Sequence, residues 1–281
     1  AAGWWYNSMA LLADGWHMHW TRATLYGGYA IAAPKSENEL RVSTLLFVAG
    51  GPIFTLLIGV GSFSAFLAAI RTGSGLAELV GLLGVWMLAS FAVNALPYRG
   101  TRGFSDGARI LHLMLRQPEG ERLLHIMRIA MSECTPLRPR DWRSDWMDSL
   151  LEDRGSPAYM RGCHCRYVSA LDSHKTSEAA RWLNEFLAVP RDFPAHDNAF
   201  AFALEGAYFE ARYRGNGEAA AKWLKIPAGE SPVERSTILR AHAAVQAATG
   251  QREEMRKTIA QARTFVPTSE QTGWTLFESD L

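Results

Sequence analysis

The sequence predicts a mainly α-helical protein in two parts: a membrane-embedded helical hairpin with a small N-terminal β segment, then a domain of repeated α-helices. Three observations lead there. No charged side chain occurs from Val42 to Ile70 or from Leu79 to Tyr98, and a short polar break containing Arg71-Thr-Gly-Ser74 separates the runs. The first thirty residues are dense in Trp and Tyr, with period-two alternation. After Arg99 the chain becomes charged, with apolar residues at helical spacing. The expected division is a membrane part over 1–135, with spans at about 43–70 and 75–97, and a helical part over 136–281.

Gly3 to Ala33 reads as strands and hairpins. Trp16, Met18 and Trp20 alternate with His17 and His19, the period of a half-buried strand. Gly27-Gly28 inside the next apolar run predicts a bulge or a close backbone approach. Dense Trp and Tyr suit an interfacial belt beside a membrane. His17 and His19 share a strand face and could share a metal, but with no carboxylate or third His close by a solvated or interfacial face is the plainer reading.

Each apolar run is long enough for a spanning helix, which needs about 20 residues. Long core helices of a soluble protein are the competing reading, yet such helices seldom stay uncharged for five turns. Ala49-Gly50-Gly51-Pro52 marks a special backbone in the first span; small residues there let helices approach closely, and neighbours can re-satisfy what the proline frees. Arg22, Lys35 and Arg41 precede the hairpin and Arg99, Arg102 and Arg109 follow it, against Arg71 alone in the turn. The positive-inside rule then places both ends in the cytoplasm, as in a multi-pass protein of the cell inner membrane.

Ser105 to Cys134 carries apolar residues at helical spacing, with a break expected at Pro118-Glu-Gly120; His112 and His125 on it read as packed or surface histidines. An Asp-Gly such as Asp106-Gly107 is in itself an ordinary turn or N-cap pair. Pro136 to Trp146 reads as a linker. Three helix pairs follow, broken near Ser173-His174-Lys175, Gly215-Asn216-Gly217 and Gly250. Glu178-Ala-Ala-Arg-Trp-Leu183 is echoed by Glu218-Ala-Ala-Ala-Lys-Trp-Leu224. Helix pairs recurring every 34 to 45 residues or so mark an α-solenoid of tetratricopeptide type, with a plain bundle as the alternative. Trp182, Trp223, Tyr208 and Phe209 are its expected core.

Composition narrows the function. A net charge of +1 over 281 residues, without interleaved basic and aromatic surface patterns, gives no ground for a nucleic-acid partner. Three cysteines, Cys134, Cys163 and Cys165, make a poor disulfide framework. Cys163-His164-Cys165 lacks the second ligand pair of a zinc site, so a metal role there is the lesser expectation.

In order and context, Gly27-Gly28, Ala49-Gly50-Gly51-Pro52 and Asn94-Ala-Leu-Pro97 with Ser105-Asp106-Gly107 resemble the site-2 protease family of intramembrane zinc metallopeptidases, over roughly residues 15 to 117. In that family an H-E-x-x-H helix supplies two zinc-binding histidines and a general-base Glu, and a later Asp-Gly supplies the third ligand. The resemblance implies that Asp106 is a metal ligand, that Asn94 and Pro97 hold extended substrate, and that Gly27, Gly28, Gly50, Gly51, Pro52 and Gly107 are structural. It implies Zn2+ as cofactor, membrane lipid as surroundings and a membrane-associated peptide or protein as substrate; the helical repeats, on their own reading, are expected to bind a protein partner or present substrate. The loop from Pro97 to Asp106 is longer than the commonest family spacing and fits a branch ending in S-D-G-A-R.

One departure is large: H-E-x-x-H does not occur in these residues, and His17-Met-His19 has neither its spacing nor its Glu. A catalytic zinc takes three protein ligands and an open position. The expectation is that the motif lies upstream of Ala1, in agreement with a start at Ala1-Ala-Gly-Trp4 without an initiator Met, and that the chain as it stands is inactive. A degenerate relative, serving as a membrane-anchored helical-repeat scaffold without catalysis, is the alternative.

Overall fold

The computed structural model describes residues 5–6, 9–12, 15–18, 40–100, 103–133, 135–188, 199–226, 235–264 and 272–280. Gly27, Gly28, His19 and Cys134 lie outside the described residues. At the N-terminus, strands β1 (Trp5–Tyr6), β2 (Met9–Leu12) and β3 (Gly15–Met18) pair antiparallel in sequence order, with Ala10 opposite His17. The chain divides into two units: Pro34–Leu124, and His125–Leu281 together with Ala1–Ala33.

In the first unit the charge-free runs form α1 (Leu40–Ala69) and α2 (Gly75–Ala95), joined by a single 3-10 turn over Ile70–Thr72. Gly73 takes the left-handed conformation at φ 61° and closes that turn. At 1.5 Å per residue the two helices are about 45 and 31 Å long, enough to cross a hydrocarbon layer of about 30 Å. Of the most apolar stretch of each, 17% is buried, and Leu82 and Trp86 are each 68% exposed. The helices therefore do not have the burial of a soluble protein's core helices; they are two helices long and apolar enough to cross a membrane.

What holds α1 to α2 is small size at the seam. A Cβ on Gly84 would come within 2.7 Å of the backbone nitrogen of Phe63, and one on Gly81 within 2.6 Å of the Phe66 ring. Backbones that touch at glycine gain dispersion contacts that do not depend on expelling water.

After α2 the chain makes a two-stranded ribbon of β4 (Arg99–Gly100) and β5 (Gly103–Phe104), then α3 (Asp106–Met114) and α4 (Pro118–Glu133). The break falls at Leu115–Gln117, not at Pro118-Glu-Gly120. Pro118 starts α4, because a first-turn position has no intrahelical N–H to lose. Gly120 lets α4 touch the preceding helix, since a Cβ there would lie 2.5 Å from the His112 carbonyl oxygen. Arg41 at the head of α1 ties this corner together, donating to Leu113 O at 2.9 Å and pairing with Glu121.

The second unit, as described, continues with α5 (Ser144–Leu150) and three helical hairpins: α6 (Pro157–Asp172) with α7 (Thr176–Leu187), α8 (Ala199–Arg212) with α9 (Gly217–Trp223), and α10 (Arg235–Ala248) with α11 (Arg252–Arg263). A last helix, α12 (Gly273–Asp280), follows. Its cores run in succession. Ile129, Trp142, Trp146, Met147, Leu150 and Cys165 form one; Cys163, Tyr167, Leu183, Phe186 and Phe209 belong to the next; Leu204, Tyr208, Ala220, Ala241 and Val245 to the third.

The three hairpin turns share one backbone form. A left-handed residue, His174, Gly215 or Gly250 (φ 57°, 65° and 79°), is followed by Lys175, Asn216 or Gln251 near φ −89°, −95° and −82°, and the second helix then starts. The sequence echo falls on the second helices: Ala179 and Ala220 are fully buried, with Trp182 and Trp223 three residues on and partly buried. Tyr208 and Phe209 are core residues; Trp223 lies on Gly206 of the facing helix, at the distance where a Cβ would touch its indole.

Candidate functional site

The start of α3 is built around Ser105. As the N-cap its hydroxyl accepts from Ala108 N at 3.2 Å and from Tyr98 N at 3.1 Å, and donates to Leu96 O at 2.6 Å. One side chain thus joins the C-terminal turn of α2, the strand ribbon and the new helix. In the sequence Ser105 stands out only as part of Ser105-Asp106-Gly107, although a Ser just before an apolar helical pattern is an N-cap signal. The consequence falls on the next residue. Asp106 is the first residue of the helix and not its cap, so its carboxylate is not engaged in capping.

Gly107 fixes how close that carboxylate comes to the hairpin. A Cβ there would sit 2.0 Å from the Ala95 carbonyl oxygen, so only glycine lets α3 rest on the end of α2. On the other side Asp106 Oδ2 lies 3.7 Å from the point where Gly51 would carry a Cβ. The Asp-Gly pair and the first span's small-residue segment therefore meet: Gly51 faces Asp106, and Pro52 beside it is buried inside α1. Pro52 has no N–H to give to the Val48 carbonyl, and the Thr55 hydroxyl donates to Gly51 O at 2.8 Å. Gly50 looks into open space. Asn94, in the last turn of α2, and Pro97, just beyond it, are exposed on either side of the turn that Gly107 touches.

Asp106 is half-buried, with Arg109 one turn along at 3.7 Å. Burial raises its pKa above the usual carboxylate range, and the Arg109 charge offsets this in part. Such a carboxylate gains more than an exposed one from a further cation.

Among the described residues no group of three His, Cys, Asp or Glu side chains could hold a metal ion. Asp106 is a single oxygen donor, while a catalytic zinc takes three protein ligands. The described residues do not fit a zinc site by themselves, and no zinc chemistry is assigned to them alone.

The remaining candidates lie elsewhere. His17 is in β3, with His19 outside the described residues. His112 stands edge-on to the Phe104 ring at 4.7 Å and hydrogen-bonds Gln117, and His125 hydrogen-bonds Ser149. Cys163 and Cys165, two positions apart on α6, point to opposite faces and enter different cores, so the Cys-His-Cys run does not converge. Burial pushes both thiols up to about 11, the opposite of a reactive or metal-binding thiolate. No family model matches the chain, and neither a curated protein nor a solved structure matches it.

Proposed function

We propose that the chain belongs to an intramembrane zinc metallopeptidase of the site-2 protease type, in which Asp106 is the third metal ligand. The observation that carries this is the half-buried Asp106 carboxylate at the head of α3, facing Gly51 of α1 beside two helices long enough to cross a membrane. In this reading the two histidines and the general-base Glu come from residues outside this chain. The chain's own part is to position one carboxylate: Ser105 caps the helix so that the acid is not engaged in capping, Gly107 seats it on α2, and Gly51 leaves room in front of it. Asn94 and Pro97, exposed around the same turn, would border an extended substrate. The hairpin lies in the inner membrane with both ends cytoplasmic, and the helical pairs, read as a tetratricopeptide-like repeat, take a protein partner. Their common turn geometry and their succession of cores support that repeat reading.

The test is made on the full-length gene product. Asp106→Asn keeps the shape and removes the charge; it is expected to lose bound zinc, measured by plasma mass spectrometry, and to abolish cleavage of a membrane substrate. Zinc content and cleavage equal to wild type would refute the assignment.

A second reading rests on the sequence, in which H-E-x-x-H does not occur. On it the chain is a membrane-anchored helical-repeat scaffold. An upstream reading frame without H-E-x-x-H, together with a product free of zinc, favours the scaffold.

A further inference from the structure

A concave pocket of about 250 Å³ opens on the helical unit, lined by Leu151, Arg154, Tyr159, Arg181, Trp182 and Glu185. Its charges do not cancel. Glu185 accepts a hydrogen bond from the Tyr159 hydroxyl at 2.9 Å and pairs with Arg154 at 3.4 Å. Arg181 has no carboxylate partner among the described residues; its guanidinium lies over the Trp182 ring at 4.7 Å. Two cations therefore face one anion. The Trp182 ring meets one side of the Arg181 guanidinium, and a guanidinium suits a two-point contact with a carboxylate. Leu151 and the Trp182 indole add an apolar wall beside these charges.

We propose that this pocket binds an acidic peptide segment, seating one carboxylate on Arg181 and the neighbouring apolar side chain against Leu151 and Trp182. Arg154, exposed and already shared with Glu185, supplies attraction at longer range. The proposal deepens the reading of the helical pairs as a partner-binding module and makes no use of Asp106. Zinc and cleavage measurements therefore test one assignment and peptide binding the other.

The probe is a capped, fluorescein-labelled peptide of alternating Glu and Leu, titrated against the full chain in detergent and followed by fluorescence anisotropy. A Gln–Leu peptide is the control. The Glu–Leu peptide is expected to bind more weakly as salt rises, because exposed charges are screened. Arg181→Ala should weaken it about tenfold, the size of one charged hydrogen-bonded contact. Arg181→Glu should move the preference to a Lys–Leu peptide. Arg181 is exposed, and far-UV circular dichroism verifies the fold of each variant. Equal binding of the Gln–Leu peptide, or an unchanged affinity in Arg181→Ala, overturns the proposal. A phosphoserine–Leu peptide that binds more tightly than Glu–Leu at equal charge overturns the choice of carboxylate. Peptide binding elsewhere on the helical pairs, insensitive to Arg181, overturns this pocket while leaving the module reading in place.

Discussion

The two units handle apolar surface in opposite ways. In the α1–α2 hairpin the large side chains, Leu82 and Trp86 among them, point outward and the seam is glycine. In the helical pairs Tyr208, Phe209 and Leu204 point inward, and ion pairs such as Lys222–Glu218 and Lys257–Glu254 decorate the outside. Close packing is reached in both, by backbone touching backbone in the first and by alanine against aromatic in the second. The difference follows from the solvent each surface suits. Where the surroundings are hydrocarbon, burying Leu gains little and close approach gains more; where they are water, burying Leu is the main driving force.

That contrast can be broken most directly by truncating one leucine in each unit. Leu204→Ala, in a site 1% exposed, should cost about 3 kcal/mol by denaturant unfolding of the detergent-solubilised chain. Leu82→Ala, at 68% exposed, should cost less than about 0.5 kcal/mol. Gly84→Val should cost more than Leu82→Ala, about 1–3 kcal/mol, because the obstacle is the Phe63 backbone and cannot rotate away. Equal costs for the two leucines would mean that the hairpin is held as a water-soluble core is.

A pH titration sharpens the same comparison from the helical side. Burial, with Arg161 and Arg240 adding to it, holds the His164 pKa down to about 3. The unfolded chain protonates this histidine near its ordinary value of about 6.5. Between those values the unfolded state binds more protons, so stability falls as pH falls. From pH 7 to 5, ahead of most carboxylates, the loss should approach about 1 kcal/mol per pH unit below 6. His164→Gln should flatten the profile; an unchanged slope assigns the effect to other groups.

The smallest effect concerns the shared turn. Gly215 and Gly250 hold the left-handed position in two hairpins, and His174 holds it in the first. His174→Gly should raise stability by up to about 1 kcal/mol, measured as a higher Tm, because glycine occupies that region without a Cβ penalty.

These particulars also mark what could be read from the residues alone. The charge-free runs located α1 and α2, since a long helix without charge has few alternatives. The Glu178 and Glu218 echo located two second helices, since both repeat the same small and aromatic spacing. Pro118 misled, because a proline that stops one helix and a proline that starts the next look alike in sequence. The break at Ser173-His174-Lys175 is legible, but that His174 takes the left-handed position is not, because a histidine with positive φ leaves no pattern. At the candidate site Asp106, Gly107 and Gly51 were named, yet that Gly51 faces the carboxylate depends on which faces of three separate helices meet. No local periodicity carries that. The Ser105 clamp was legible in part: its capping role follows from position, its hold on Leu96 and Tyr98 does not.

The succession of cores in the helical unit has a mechanical consequence. Each hairpin leans chiefly on its immediate neighbours, yet the last helix closes back on the first hairpin: Phe277 of α12 is buried in the core of Tyr167 and Phe186, and Asp280 pairs with Arg138, so a pull on the C-terminus loads that core directly. Such a tether should hold until that joint parts, and only then lengthen.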